Sequence, residues 1–116
     1  MAERGVLDLP ESDLGIVRAI LERYAVGRPV YVFGSRVTGR AQRRSDLDLA
    51  IGGAEPMTLG LRADLVDAFD ASDLPIEVDV VDLATVSETF RNRIMAEWVE
   101  FDRAAATPRC QKEVNA

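Results

Sequence analysis

Histidine is absent from the 116 residues. That excludes zinc sites built on imidazole, Ser-His-Asp and Cys-His catalysis, and acid–base chemistry that relies on a histidine. A single cysteine, Cys110, leaves no possibility of an internal disulfide, as expected of a protein kept in a reducing cytosol. No apolar run approaches the roughly 20 residues a membrane helix needs, and the acidic start of the chain, with Glu3 and Asp8, is unlike a signal peptide. Positive charge is also short. Fourteen Lys and Arg against twenty Asp and Glu give a formal charge of -6, whereas general nucleic-acid binders carry a basic footprint. These shortages together describe a soluble cytoplasmic protein with no membrane association and no direct nucleic-acid partner. The charge balance suits a basic partner protein or a small anion held by a local cluster.

An apolar share of 47% is ordinary for one globular core. Residues 1–11 lack a clear period and are expected to be a flexible arm, and the polar stretch 102–116 a flexible tail. Residues 12–101 are then a single domain. Ser12 or Asp13 is placed to cap a helix with Leu14, Val17, Ile20, Leu21 and Tyr24 on one stripe. Val30 to Phe33 is a β-branched and aromatic run, as in a buried strand, and Gly34-Ser35 ends it. Arg36 to Gln42 is a short helix or turn. Leu47, Leu49 and Ile51 alternate with Asp46, Asp48 and Ala50, the period of a second strand. A second clear helix opens at Pro56 to Thr58, a third strand covers Ile76 to Val81, and Ser87 to Phe101 carries Phe90, Ile94, Trp98 and Phe101 at helical spacing. The order αβαβαβα predicts an α/β fold with helices packed on a three-stranded sheet.

The chemistry lies in the carboxylates. Asp46 and Asp48, two apart on a strand, project to one face with Cα atoms about 6.5 to 7 Å apart. Magnesium prefers hard oxygen ligands, often one or two carboxylates completed by substrate phosphates and water. Such a pair is able to hold two ions at the separation used for displacement at phosphorus. Asp79 has the outward phase on the third strand and would join them if the two strands are neighbours. Asp82 competes for that place, but its phase is opposite. Aspartates at strand ends also occur simply because those ends are solvated, so the acids alone are a modest signal.

Their context strengthens it. Gly34 and Ser35 stand at a strand-to-helix turn, where free amides and a hydroxyl can cradle phosphate. Arg36, Arg40, Arg43 and Arg44 put four cations between that turn and the acids, although a solvated surface segment would account for any single one of them. The segment is no Walker A loop, since no Gly-Lys-Ser/Thr closes it.

GSRVTGRAQRRSDLDLAI at residues 34–51, followed by IEVDVVDL at 76–83, resembles the minimal nucleotidyltransferases (MNT) of the DNA polymerase β superfamily. Their pattern is Gly-Ser, a spacer with a second Gly, Ser-Asp-x-Asp, and a later strand Asp. The likeness covers roughly residues 14 to 101. It implies the polymerase β palm-like fold with a small mixed sheet, and it matches Gly34 and Ser35 to the triphosphate turn. Asp46, Asp48 and Asp79 match the metal-binding and catalytic carboxylates. Ser45 opens the Ser-Asp-x-Asp pattern and is grouped with Arg36 on the nucleotide side, although the Arg36 position varies in the family and its role is left open. The last helix, FRNRIMAEWVEFD, resembles the family's closing helix, with Phe101-Asp102 in place of the frequent apolar-tyrosine ending.

The activity implied by the resemblance is transfer of AMP from ATP, with two Mg2+ ions, to a hydroxyl. Larger relatives carry a second domain for the acceptor, and no residues remain here to build one. Stand-alone MNT proteins are typically the antitoxins of HEPN ribonuclease toxins and modify a tyrosine on that partner. Two other outcomes are open at this point: a non-catalytic antitoxin acting by complex formation, and a transferase for a small molecule such as an aminoglycoside.

Overall fold

A computed structural model describes residues 7–101. The first helix, α1 (Glu11–Tyr24), starts one residue before the expected caps. Pro10 occupies the N-cap position at φ -59° without a side-chain cap, while Glu11 and Asp13 lie in the first turn, where acidic charge favours the helix dipole. Val17 and Leu21 are fully buried from this helix. Before it, Asp8 and Pro10 are exposed and Leu7 packs against the core from a partly buried position. Leu9 joins the core and the Asp8 amide donates to the Arg36 carbonyl at 2.8 Å.

After α1 come β1 (Val30–Phe33), the short α2 (Ser35–Thr38), β2 (Leu47–Ile51) and α3 (Leu59–Asp70). Thr58 caps α3 by accepting from the Leu61 amide at 3.0 Å, as its sequence position suggests. Next are β3 (Val78–Asp82), α4 (Glu88–Met95), capped by Ser87 on the Phe90 amide at 3.1 Å, and β4 (Val99–Glu100). The sheet order is β3-β2-β1-β4; β2 and β3 are parallel, while β1 is antiparallel to both its neighbours.

The sheet therefore has four strands, not the three expected. The residues assigned by sequence to the end of a long helix leave it at Met95. Trp98 then stacks on Tyr31 with ring centroids 3.8 Å apart, and Val99–Glu100 pairs with β1. The Phe101 amide donates to the Val30 carbonyl at 2.8 Å, and the Phe101 ring enters the core. The edge of β1 holds backbone groups that need partners. That long-range demand outweighs the helical spacing of Phe90, Ile94, Trp98 and Phe101.

Alternation divides the two faces of the sheet. Val30, Val32, Leu47, Leu49, Ile51 and Val80 form the main core with Val17 and Leu21 of α1 and Leu65 and Phe69 of α3. On the opposite face, Phe33 and Ala50 pack with Ile94 of α4, and Tyr31, Val81, Phe90 and Trp98 border them. The period of two places Asp48 and Asp79 on this second face, which a single short helix covers.

Candidate active site

Three local features build the site. First, β2 and β3 run in register with Asp48 opposite Asp79, so the two acids stand side by side at the interstrand spacing of about 4.8 Å. Second, Asp46 has the same side-chain phase as Asp48 and just precedes β2, whose first amide, that of Leu47, donates to the Glu77 carbonyl at 2.9 Å. Third, Phe33 is the register partner of Asp48, so Gly34, the next residue, turns away beside the acids.

Gly34 has φ 85° and ψ -158°, a conformation open essentially only to glycine. A β-carbon there would run into the carboxylate of Asp48. The turn leads into α2, where the Val37 and Thr38 amides donate back to the Gly34 carbonyl, and Gly39 at φ 86° ends the helix. Ser35 opens α2 and is partly buried. Turn and acids thus meet at one end of the sheet.

The electrostatics are those of crowded negative charge. Burial, then the charges of Asp79, Asp46 and Glu97, push the Asp48 carboxyl up from 3.8 to about 6. Glu97 is the member that sequence patterning missed. It lies between α4 and β4, where the sequence predicts unbroken helix, and its Oε2 accepts from the Gly34 amide at 2.7 Å. Only the break between Met95 and Val99 brings it to the turn.

Two other expected site residues take different places. Arg36 is 5% exposed. Its guanidinium donates to the carbonyls of Asp8 (3.0 Å), Gln42 (3.3 Å), Arg43 (3.2 Å) and Ser45 (2.9 Å). It holds the loop that leads to Asp46 and points inward rather than across the open face of the turn. Ser45 accepts from the Gln42 amide at 2.8 Å, closing the same loop. Arg40, Arg43 and Arg44 are exposed. Asp82 faces the main core, 6% exposed, and accepts from the Met57 amide at 2.8 Å and the Ala84 amide at 3.0 Å. It secures the ends of β2 and β3, on the face opposite Asp48 and Asp79.

Clustered carboxylates of this kind suit a hard cation such as magnesium, which takes one or two carboxylates and completes its shell with phosphate and water. Among the described residues no group of three or more Asp, Glu or Cys side chains stands close enough together to hold a metal ion by itself.

Residues 17–100, well over half of the chain, match the family model described as polymerase beta, nucleotidyltransferase. The chain belongs to this nucleotidyltransferase family. Within the family it is homologous to the probable protein adenylyltransferase MntA of Haemophilus influenzae, with 46% identity over 93 residues, 80% of this chain and 82% of that protein. The nucleotidyltransferase fold is also found in a toxin–antitoxin crystal structure with AMP-PNP, at a TM-score of 0.66 and 25% identity, covering 78% of this chain and 73% of that one. A Shewanella oneidensis structure, a tri-AMPylated HEPN toxin in complex with MNT antitoxin, is similar in fold, with a TM-score of 0.61 and 21% identity over 79% of this chain and 71% of the other. No helix among the described residues of this nucleotidyltransferase is long and apolar enough to cross a membrane.

Proposed function

We propose that this protein is a cytoplasmic, Mg2+-dependent protein adenylyltransferase that moves AMP from ATP to a hydroxyl, a tyrosine in the first instance, of a HEPN ribonuclease toxin and thereby neutralises it as an antitoxin. The observation that carries the proposal is the β2–β3 register. It sets Asp48 beside Asp79, with Asp46 on the same face and the glycine turn adjoining them. The homologous probable protein adenylyltransferase MntA and the toxin–antitoxin structure with AMP-PNP support the choice of acceptor and of nucleotide.

In this mechanism the Gly34 and Ser35 turn receives the triphosphate through backbone amide and hydroxyl donors. Asp46, Asp48 and Asp79 would hold Mg2+, which when bound offsets the charge of the phosphates and of the acids and favours ionisation of the acceptor hydroxyl. Asp79 takes the hydroxyl proton. The acceptor oxygen bonds to the α-phosphorus as the bond from that phosphorus to the oxygen bridging to the β-phosphate breaks, and pyrophosphate leaves. Arg36 and Ser45 act at a distance, by fixing the loop that delivers Asp46. Most of the rate gain comes from positioning and charge stabilisation, so a misplaced carboxylate is costly. The net charge of -6 is of the sign that suits a basic, RNA-cutting partner.

Nucleotide labelled at either the α- or the γ-phosphorus, incubated with Mg2+, this protein and the HEPN partner, tests the reaction. Adenylyl transfer leaves the α-label on the partner and none of the γ-label. Retention of the γ-label would indicate phosphoryl transfer and refute the proposal, and absence of both labels with full inhibition of the toxin would favour neutralisation by complex formation.

A further inference from the structure

The amide that the nucleotide site needs is already in use. Gly34 N–H donates to Glu97 Oε2 at 2.7 Å, a short, charge-assisted contact. An amide carries a single proton, so a phosphate oxygen and the Glu97 carboxylate are alternative partners for it. Both are anions, and they cannot share the place closely. The Glu97 backbone is anchored on either side: α4 ends two residues before it at Met95, and after it Trp98 lies on Tyr31 and Val99 pairs with β1. The side chain itself is only partly buried and has three rotatable bonds. It is able to leave the amide without the connection unfolding.

We infer that Glu97 is an affinity-setting residue, an internal anion that holds the Gly34 amide until nucleotide phosphate displaces it. The inference rests on the nucleotide site proposed above. It makes Glu97 part of the site's selectivity: a ligand must provide an anion able to replace a tethered carboxylate, as a triphosphate does when its charge is shared with a cation. It also links occupancy of the turn to the α4–β4 connection, which carries the edge strand of the sheet.

Binding of ATP in the presence of Mg2+, measured by calorimetry on the full chain, tests it with two variants. Glu97→Ala removes both acceptor and charge, whereas Glu97→Gln keeps a neutral acceptor of nearly the same shape. The affinity for ATP should rise in the order wild type, Glu97→Gln, Glu97→Ala, with the last about tenfold tighter than wild type. In NMR spectra of the 15N-labelled protein, the Gly34 amide should shift when ATP is added to wild type, and should already be displaced in nucleotide-free Glu97→Ala. Equal or weaker ATP binding by both variants, with Gly34 unmoved by ATP in a wild type that does bind it, would overturn the inference and leave the nucleotide site standing. Failure of all three proteins to bind ATP with Mg2+ would overturn both. Because Glu97→Gln is nearly isosteric, its result stands even if Glu97→Ala is poorly folded.

Discussion

Replacing Asp48 with asparagine should make the protein more stable while removing its activity. The Asp48 carboxyl titrates at about 6 in the folded protein against 3.8 ordinarily, because burial and three neighbouring acids oppose its charge. Between those two values the folded state binds more protons than the unfolded one, so stability falls as pH rises from about 4 to about 6 and then levels off. One pKa unit corresponds to about 1.4 kcal/mol. The carboxyl is only partly buried, however, so screening by solvent and salt reduces the full conversion to about 1 kcal/mol. In a domain of this size that is a rise in Tm of about 4–8 °C. Urea unfolding of wild type and Asp48→Asn across this pH range checks the sign directly. The variant should be more stable at neutral pH and indistinguishable from wild type below about pH 4, where both side chains are neutral. Added Mg2+ should stabilise wild type and narrow the gap. A variant less stable than wild type at neutral pH, or a gap that does not change with pH, would refute the reasoning, since either means that Asp48 is not held against uncompensated charge.

Gly34→Ala forces a side chain into a glycine-only conformation and against Asp48; denaturant unfolding should show a loss of about 1–3 kcal/mol, and ATP binding should fall with it. Arg36→Met leaves four carbonyls without their shared donor. It should cost about 2–4 kcal/mol, and Arg36→Lys should restore only part of this because one ammonium cannot span the fork. The two aspartates of β3 should separate cleanly. Asp82→Ala orphans the Met57 and Ala84 amides and lowers stability by about 2–4 kcal/mol, whereas Asp79→Ala leaves the melting temperature within a few degrees of wild type and abolishes label transfer.

The alternation of apolar and acidic residues from Asp46 to Ile51 carried most of what was legible in the chain. Period two set Asp48 on a face away from Leu47 and Leu49, and the same counting on β3 separated Asp79 from Asp82, as the register and the burial of Asp82 bear out. Those are local facts, and strand phase is local. Arg36 shows where such reasoning stops. Whether a charged side chain turns inward depends on carbonyls at residues 8, 42, 43 and 45 that meet only after folding. The strand β4 is two residues long, too short for any period, and the aromatic spacing around it imitates a helix. Glu97 was hidden for the same reason, since its approach to Gly34 exists only because the helix ends early.

The most direct test of the central claim is the intact mass of the HEPN partner after incubation with ATP, Mg2+ and this protein, beside the same reaction with Asp46→Asn/Asp48→Asn. The account predicts a gain of one or more AMP units on the partner with wild type, a lowered toxin activity in proportion, and an unchanged mass with the double variant. A partner silenced equally by both proteins with no change in mass would contradict it.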